Sequence, residues 1–155
     1  ALLRQGRRVA VADWDARQGT ISRYFENRRR HVAEGELSLR CPASGSAANM
    51  FGDVYGGWVA SQAVLAAEIG AGGAAEGRVA TVSIGAMSFM APVLEGTILS
   101  FYTRIKEQGT SSLRINVEVW GCCPDGRDLR KVSETECVQV AIDGHGHIRA
   151  LDFGH

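Results

Sequence analysis

Read for polarity, the chain changes character near residue 34. Beyond it, residues 36–41 alternate polar and apolar positions, with Leu37 and Leu39 on one face, which predicts a short strand. A small-residue loop over 42–48 leads into residues 57–70, a segment without charge before Glu68. Trp58, Val59, Ala63, Val64, Leu65, Ala66 and Ile69 leave no clear polar stripe there, which predicts a helix apolar on nearly all faces that other structure must wrap. The glycine- and alanine-rich stretch 70–77 predicts its end. Four long β-branched runs follow at 79–90, 98–108, 112–121 and 131–142, separated by Pro-Val-Leu-Glu-Gly, Gly-Thr and Pro-Asp-Gly connections. In the third run Leu113, Ile115, Val117 and Val119 alternate with Arg114, Asn116, Glu118 and Trp120, so one face is core and the other solvent or interface.

One buried helix between a first strand and a meander of strands predicts an α+β domain, a curved antiparallel sheet wrapped around one long central helix. This is the hotdog layout. The free edges of such a sheet invite pairing with a second copy. Residues 1–33 differ: they carry Arg4, Arg7, Arg8, Arg17, Arg23 and the run Arg28-Arg29-Arg30 with no sustained period. We divide the chain into a basic N-terminal extension, 1–33, and a hotdog domain, 34–155. Within the extension a short strand is expected over 7–12 and a short helix over 21–30. Such an arm suits packing on a neighbouring subunit or contact with an acidic partner.

At 155 residues, 45% of them hydrophobic, the chain can bury one core. Its 17 basic and 17 acidic residues cancel, so no global charge favours nucleic acid or a membrane surface. The longest uncharged apolar run, 54–67, falls short of the roughly 20 residues that span a bilayer. With no secretory pattern at the start, a cytoplasmic protein is expected. Cys41, Cys122, Cys123 and Cys137 lack Cys-x-x-Cys spacing and read as reduced and structural. His145 and His147 stand in a Gly-His-Gly-His stretch without a partner carboxylate; this reads as a turn, and no metal is expected.

The stretch Asn49-Met50-Phe51-Gly52-Asp53-Val54-Tyr55-Gly56-Gly57-Trp58 closely resembles the loop and helix start of the YciA-like acyl-CoA thioester hydrolases. Three further stretches resemble the same family in the same order: 77–82 (Gly-Arg-Val-Ala-Thr-Val), 87–93 (Met-Ser-Phe-Met-Ala-Pro-Val) and 109–112 (Gly-Thr-Ser-Ser), the last leading into 115–120. The resemblance spans about 35–153. It implies Asp53 as the catalytic carboxylate, amides at Gly56 and Gly57 as donors to the thioester oxygen, and a hexamer built as three dimers with acyl-CoA as substrate. Thr110, Ser111 and Ser112 resemble the family's segment beside the pantetheine arm. The sequence departs from the family pattern at Phe51, where asparagine is usual, at Ala91, where arginine often precedes Pro-Val, and at Gly85 and Thr97, where acidic residues are common. These departures bear on substrate preference and CoA affinity more than on reaction type.

Physical chemistry supports the implied roles. A helix start leaves about four amides unpaired and carries positive partial charge, which stabilises a developing oxyanion. Glycine lets that backbone approach the thioester closely. No Ser-His-Asp or Cys-His arrangement is legible, so the carboxylate must serve, as general base toward water or as nucleophile. A thiol of pKa about 8.5 leaves with little help, so a sparse site suits thioesters. The structural alternative for Asp53 is an N-cap. Asn49 is a candidate for orienting the loop or the water, and Ser61 and Gln62 for touching substrate or Asp53. Arg78, Arg104, Lys106 and Lys131 are candidates for the nucleotide phosphates. Beyond CoA as part of the substrate, no cofactor is expected.

Two other functions compete. One is a non-catalytic hotdog module that binds acyl-CoA as a signal; retention of Asp53 argues against it. The other, hydration or dehydration of enoyl-CoA, wants an Asp-His pair, and no histidine lies between His31 and His145. Chain-length preference depends on the depth of the cleft beside the helix, which sequence does not define.

Overall fold

The computed structural model describes residues 35–123, 126 and 128–152. The expected strand over 7–12 and helix over 21–30 lie outside the described residues. In chain order the elements are β1 (Glu36–Pro42), a 3-10 turn (Gly45–Ala47), α1 (Gly56–Ala74), β2 (Val79–Ile84), β3 (Ser88–Phe89), β4 (Ile98–Gln108), β5 (Ser112–Cys122) and β6 (Leu129–Ala141). The strands form one antiparallel sheet in the order β1-β4-β5-β6-β2, with β3 pairing β6 beyond the end of β2. Helix α1 packs across β5, β1, β4, β2 and β6. This is the expected hotdog architecture.

The core lies between one face of α1 and the concave face of the sheet. Val59, Ala63, Ala66, Ala67 and Ala71 recur at helical spacing and are buried against Leu99, Phe101, Leu113, Ile115, Val117 and Val119. Small helix residues let the sheet approach closely. At Gly70 the approach is closest, because a Cβ there would stand 2.5 Å from the Thr103 hydroxyl oxygen. The helix also differs from expectation in extent: α1 starts at Gly56 and continues past residue 70 to Ala74, where burial of Ala71 and Ala75 in the core outweighs the low helix propensity of Gly70, Gly72 and Gly73.

Two further expectations change. The run 79–90 is not one strand. Ile84 stands opposite Cys137 and Ser88 opposite Glu134, so the chain advances four positions (84 to 88) against three on β6 (137 to 134). The extra residue makes a bulge at 85–87. Gly85 permits it, since its N–H donates to the Glu136 carbonyl at 2.7 Å and a Cβ would stand only 3.0 Å from that oxygen. The helix, moreover, is wrapped on one side only. Leu65 and Ile69 stay exposed, as do Val82 and Ile84 on edge strand β2.

On the convex face Lys131 Nζ pairs with Glu134 at 2.6 Å and with Glu118 at 3.4 Å, while Trp120 Nε1 donates to Glu118 at 3.0 Å. The Lys131 hydrogen bond holds the Glu134 carboxyl below its ordinary range, with the lysine's charge and Asn116 assisting and burial opposing. Desolvation pulls Lys131 downward, yet the bonds and charges of Glu134 and Glu118 together raise it. All four cysteines are free thiols. Burial pushes the Cys41 and Cys137 thiols up, which keeps them protonated and unreactive.

Candidate active site

The loop ahead of α1 is built around Asn49. Its Oδ1 accepts from the N–H of Phe51 at 2.9 Å and of Asp53 at 3.1 Å, and its own N–H donates to the Asp53 carbonyl at 2.6 Å. Gly52 sits at φ +84°, a left-handed conformation that glycine adopts without strain. Asp53 bridges to Leu94, and the Val54 N–H donates to the Val93 carbonyl at 2.8 Å. The loop is thus held at both ends. Asn49 thus fixes the course of the backbone up to Asp53.

Asp53 does not cap the helix. The N-cap is Tyr55, in extended conformation and with no side-chain cap hydrogen bond. The first-turn amides at Gly56 and Gly57 therefore keep their positive character beside the Asp53 loop. Gly56 and Gly57 differ in surroundings. A Cβ on Gly56 would lie 3.4 Å from the tip of the Phe89 ring, whereas one on Gly57 would collide with the Tyr55 ring.

Asp53 and Gly56 face a cleft of about 300 Å³ whose other walls are Val54, Val59, Phe89, Met90, Ala91, Pro92 and Val93. A carboxylate and a helix start thus share the mouth of an apolar recess. Met50 and Phe51, 89% and 81% exposed, rim the same loop. Sequence reasoning missed Phe89 and Met90 as site residues. The signal was present in the stretch 87–93, but only the β-bulge at 85–87 swings that segment over the helix start.

The remaining candidates divide. Ser61 Oγ donates to the Trp58 carbonyl at 2.7 Å and is internally satisfied; Gln62 is half-buried on α1. Arg78 donates to the carbonyls of Asp143 and Gly144 at 3.2 and 3.0 Å and so braces a turn. Lys106 is exposed, and Lys131 is engaged by its two glutamates. Thr110, Ser111 and Ser112 form the β4–β5 hairpin, tied by backbone bonds to Leu151 and Ala141, while the Arg78 carbonyl accepts from Ile142. Arg78 and the hairpin thus gather at the end of the sheet where α1 finishes, and Asp53 lies where α1 begins. Nineteen helical residues separate them, about 28 Å at 1.5 Å per residue. One protomer does not bring the two groups together.

The Gly-His-Gly-His stretch is a turn, as expected, but the carboxylate judged missing is Asp143. Its Oδ1 accepts from the N–H of His145 at 2.8 Å and of His147 at 2.9 Å. The His147 backbone N–H is the chief cause of the lowered Asp143 pKa. Among the described residues no cluster of three or more His, Cys, Asp and Glu converges on one point.

Replacing Asn49 by alanine is expected to remove both side-chain bonds to the loop. Stability falls by about 1–2 kcal/mol, and misplacing Asp53 lowers turnover by about 10²-fold. Asn49→Asp keeps the acceptor and most of the rate. Steady-state kinetics and denaturant melts on the two variants check this.

Residues 51–121 match the family model described as the thioesterase superfamily. Acyl-CoA thioester hydrolase YciA of Escherichia coli (strain K12) is 39% identical over 130 residues, 78% of this chain and 94% of that protein. The chain belongs to this acyl-CoA thioester hydrolase family. Among solved structures, the hexameric thioesterase y2039 from Yersinia pestis superposes with a TM-score of 0.74 at 38% identity, covering 77% of this chain and 98% of that one. HI0827, a hexameric broad specificity acyl-coenzyme A thioesterase solved as an aspartate-to-alanine mutant enzyme, gives a TM-score of 0.73 at 35% identity over 76% and 87%. Residues 1–66 also match the model described as ATPase MipZ. Where that match reaches the described residues, 35–66, the backbone is β1, the loop and the first turns of α1.

Proposed function

We propose that the chain hydrolyses acyl-CoA to a carboxylate and free CoA at the Asp53 cleft. The observation that carries this is a carboxylate and an uncapped helix start at the mouth of one apolar recess. A thioester carbonyl seated there accepts hydrogen bonds from the Gly56 and Gly57 amides. A water attacks the carbonyl carbon and gives its proton to Asp53; the carbon–sulfur bond then breaks, and CoA leaves as thiolate. Direct attack by Asp53 gives the same products through a mixed anhydride, which water then opens. Both routes need the same carboxylate. The reading calls for no metal and no cofactor beyond the CoA of the substrate, with Asn49 holding the loop.

The reading includes self-association. Asp53 and the group formed by Arg78, Thr110, Ser111 and Ser112 stand at opposite ends of α1. An antiparallel pair of protomers, joined along the free edge of β2 where Val82 and Ile84 are exposed, sets one group beside the other. CoA then meets the hairpin, Arg78 and Lys106 of one protomer and Asp53 of the other; Lys131 contributes only if it leaves its glutamates. Ser61 and Gln62 of α1 flank the joint. Three such dimers make a hexamer, in line with the hexameric relatives. We assign residues 34–155 to the hydrolase and 1–33 to a separate extension, and place the protein in the cytoplasm. No helix among the described residues is long and apolar enough to cross a membrane.

Purified protein is expected to release thiol from acyl-CoAs and to sediment as a hexamer. Absence of thiol across acetyl-, medium- and long-chain substrates, with CoA still bound, would replace this reading by that of a binding module. Neither the site nor the relatives favour that alternative.

A further inference from the structure

We propose that Glu68 is a second carboxylate of the hydrolytic site, supplied across the dimer joint to the Asp53 cleft of the partner protomer, where it holds the attacking water. The inference rests on the reading of that cleft as the hydrolytic site and on the antiparallel dimer. Glu68 is the one charged residue among the 19 of α1. It is half-buried, and among the described residues no cation pairs with it. A carboxylate so placed costs stability that glutamine or alanine would not. Departures of this kind collect at functional sites.

The surroundings of Glu68 fix one of its oxygens and leave the other available. Thr81 Oγ1 lies 2.7 Å from Glu68 Oε1 and 3.0 Å from Gln139 Oε1. The hydroxyl has one hydrogen, and the nearer carboxylate takes it. Turning the Gln139 amide over lets its nitrogen donate to Thr81 in turn, a chain from Gln139 through Thr81 to Glu68. In either orientation one end of this amide, 0% exposed, lacks a partner. Glu68 Oε2 has no partner among the described residues. The sheet beneath is polar as well: Ser133, Thr135 and Gln139 of β6 stand opposite Val119, Val117 and Leu113 of β5 and so point inward, buried. The flank of α1 toward β2 is thus built for polar contact, and that flank faces the joint.

Position decides which cleft Glu68 serves. It stands twelve residues beyond Gly56, about 18 Å at 1.5 Å per residue, so its own cleft is out of reach. β2 meets it at Thr81, and the same line of chain arrives over Gly56 at Phe89. The exposed stretch of the β2 edge, 82–84, lies between those two points. A twofold axis there passes between Glu68 and the helix start, so each helix start has the partner's Glu68 nearer to it than its own. One hydrogen of the water then bonds to Glu68 Oε2, while the other passes to Asp53 as the oxygen attacks the carbonyl carbon.

The test is thiol release from acyl-CoA by the whole chain, with thermal melts beside it. Glu68→Gln keeps an acceptor for Thr81 and loses the charge. It is expected to lower kcat by about 10²-fold, with KM little changed and the melting temperature held or raised. Asp53→Ala and Glu68→Gln chains, co-expressed in equal amounts under different tags, then locate the residue. About half of the dimers are mixed and each mixed dimer regains one intact site, so about a quarter of wild-type turnover returns. A mixture no more active than its parents overturns the proposal, as does Glu68→Gln at the wild-type rate. Loss of rate in step with loss of melting temperature gives Glu68 a structural role and overturns it too. Failure of the underlying reading looks different: a wild type that releases no thiol removes both, whereas Asp53→Ala at full rate removes the role of Asp53 alone. In that case Gly56→Ala replaces Asp53→Ala in the mixture, with the same two outcomes.

Discussion

Asp53→Ala is expected to lower turnover by about 10³-fold, within the 10²–10⁴ range of a positioned acid–base group, and to leave the fold intact. The second half of that expectation follows from the loop. What holds residues 49–54 is the Asn49 side chain, the bridge to Leu94 and the Val54 bond to Val93, and in each of these Phe51, Asp53 and Val54 take part through backbone atoms only. The Asp53 side chain caps nothing, because the N-cap is Tyr55. Stability should therefore shift by no more than about 0.5 kcal/mol. Thiol-release kinetics beside thermal melts separate the outcomes. Full turnover in the variant removes Asp53 from the chemistry, and a loss near 1 kcal/mol with little kinetic effect points to a capping role instead.

Gly56→Ala is expected to divide activity from stability in the other direction. The new methyl would stand at the mouth of the cleft, 3.4 Å from the Phe89 ring, where the proposed mechanism brings the substrate carbonyl to the amide. Turnover should fall by about 10²-fold, the scale of losing one oxyanion donor. Stability should hold or rise by up to about 0.5–1 kcal/mol, since alanine is the better helix former. Gly57→Ala is the useful comparison: its methyl runs into the Tyr55 ring, which is exposed and free to swing aside. A Gly56→Ala enzyme with wild-type kcat/KM would remove the helix start from the site.

The Asn49–Asp53 loop and the helix start that follows it were legible because they lie within ten residues, where side-chain type and local backbone conformation decide geometry together. The Asn49 turn is such a case: asparagine four residues before Asp53 can close it with no help from the rest of the chain. Phe89 was not legible as a site residue. It reaches Gly56 only through the bulge at 85–87 and the pairing of β3 with β6. Lys131 differs in the opposite sense: in sequence it is a candidate for the nucleotide phosphates, and strand register sets Glu118 and Glu134 beside it.

Alternating and helical polarity are properties of neighbouring residues, and they sufficed to determine an α+β sheet around one helix, the bounds of β4 and the inward face of β5. The loop motif likewise determined the kind of chemistry. How closely α1 approaches the sheet, where the run 79–90 breaks and which residues meet at the cleft were decided by contacts between residues far apart in the chain: Gly70 against Thr103, Gly85 against Glu136, Phe89 over Gly56. A period in sequence specifies which face is apolar. It does not specify what stands opposite that face, because strand register and close packing depend on all the elements at once.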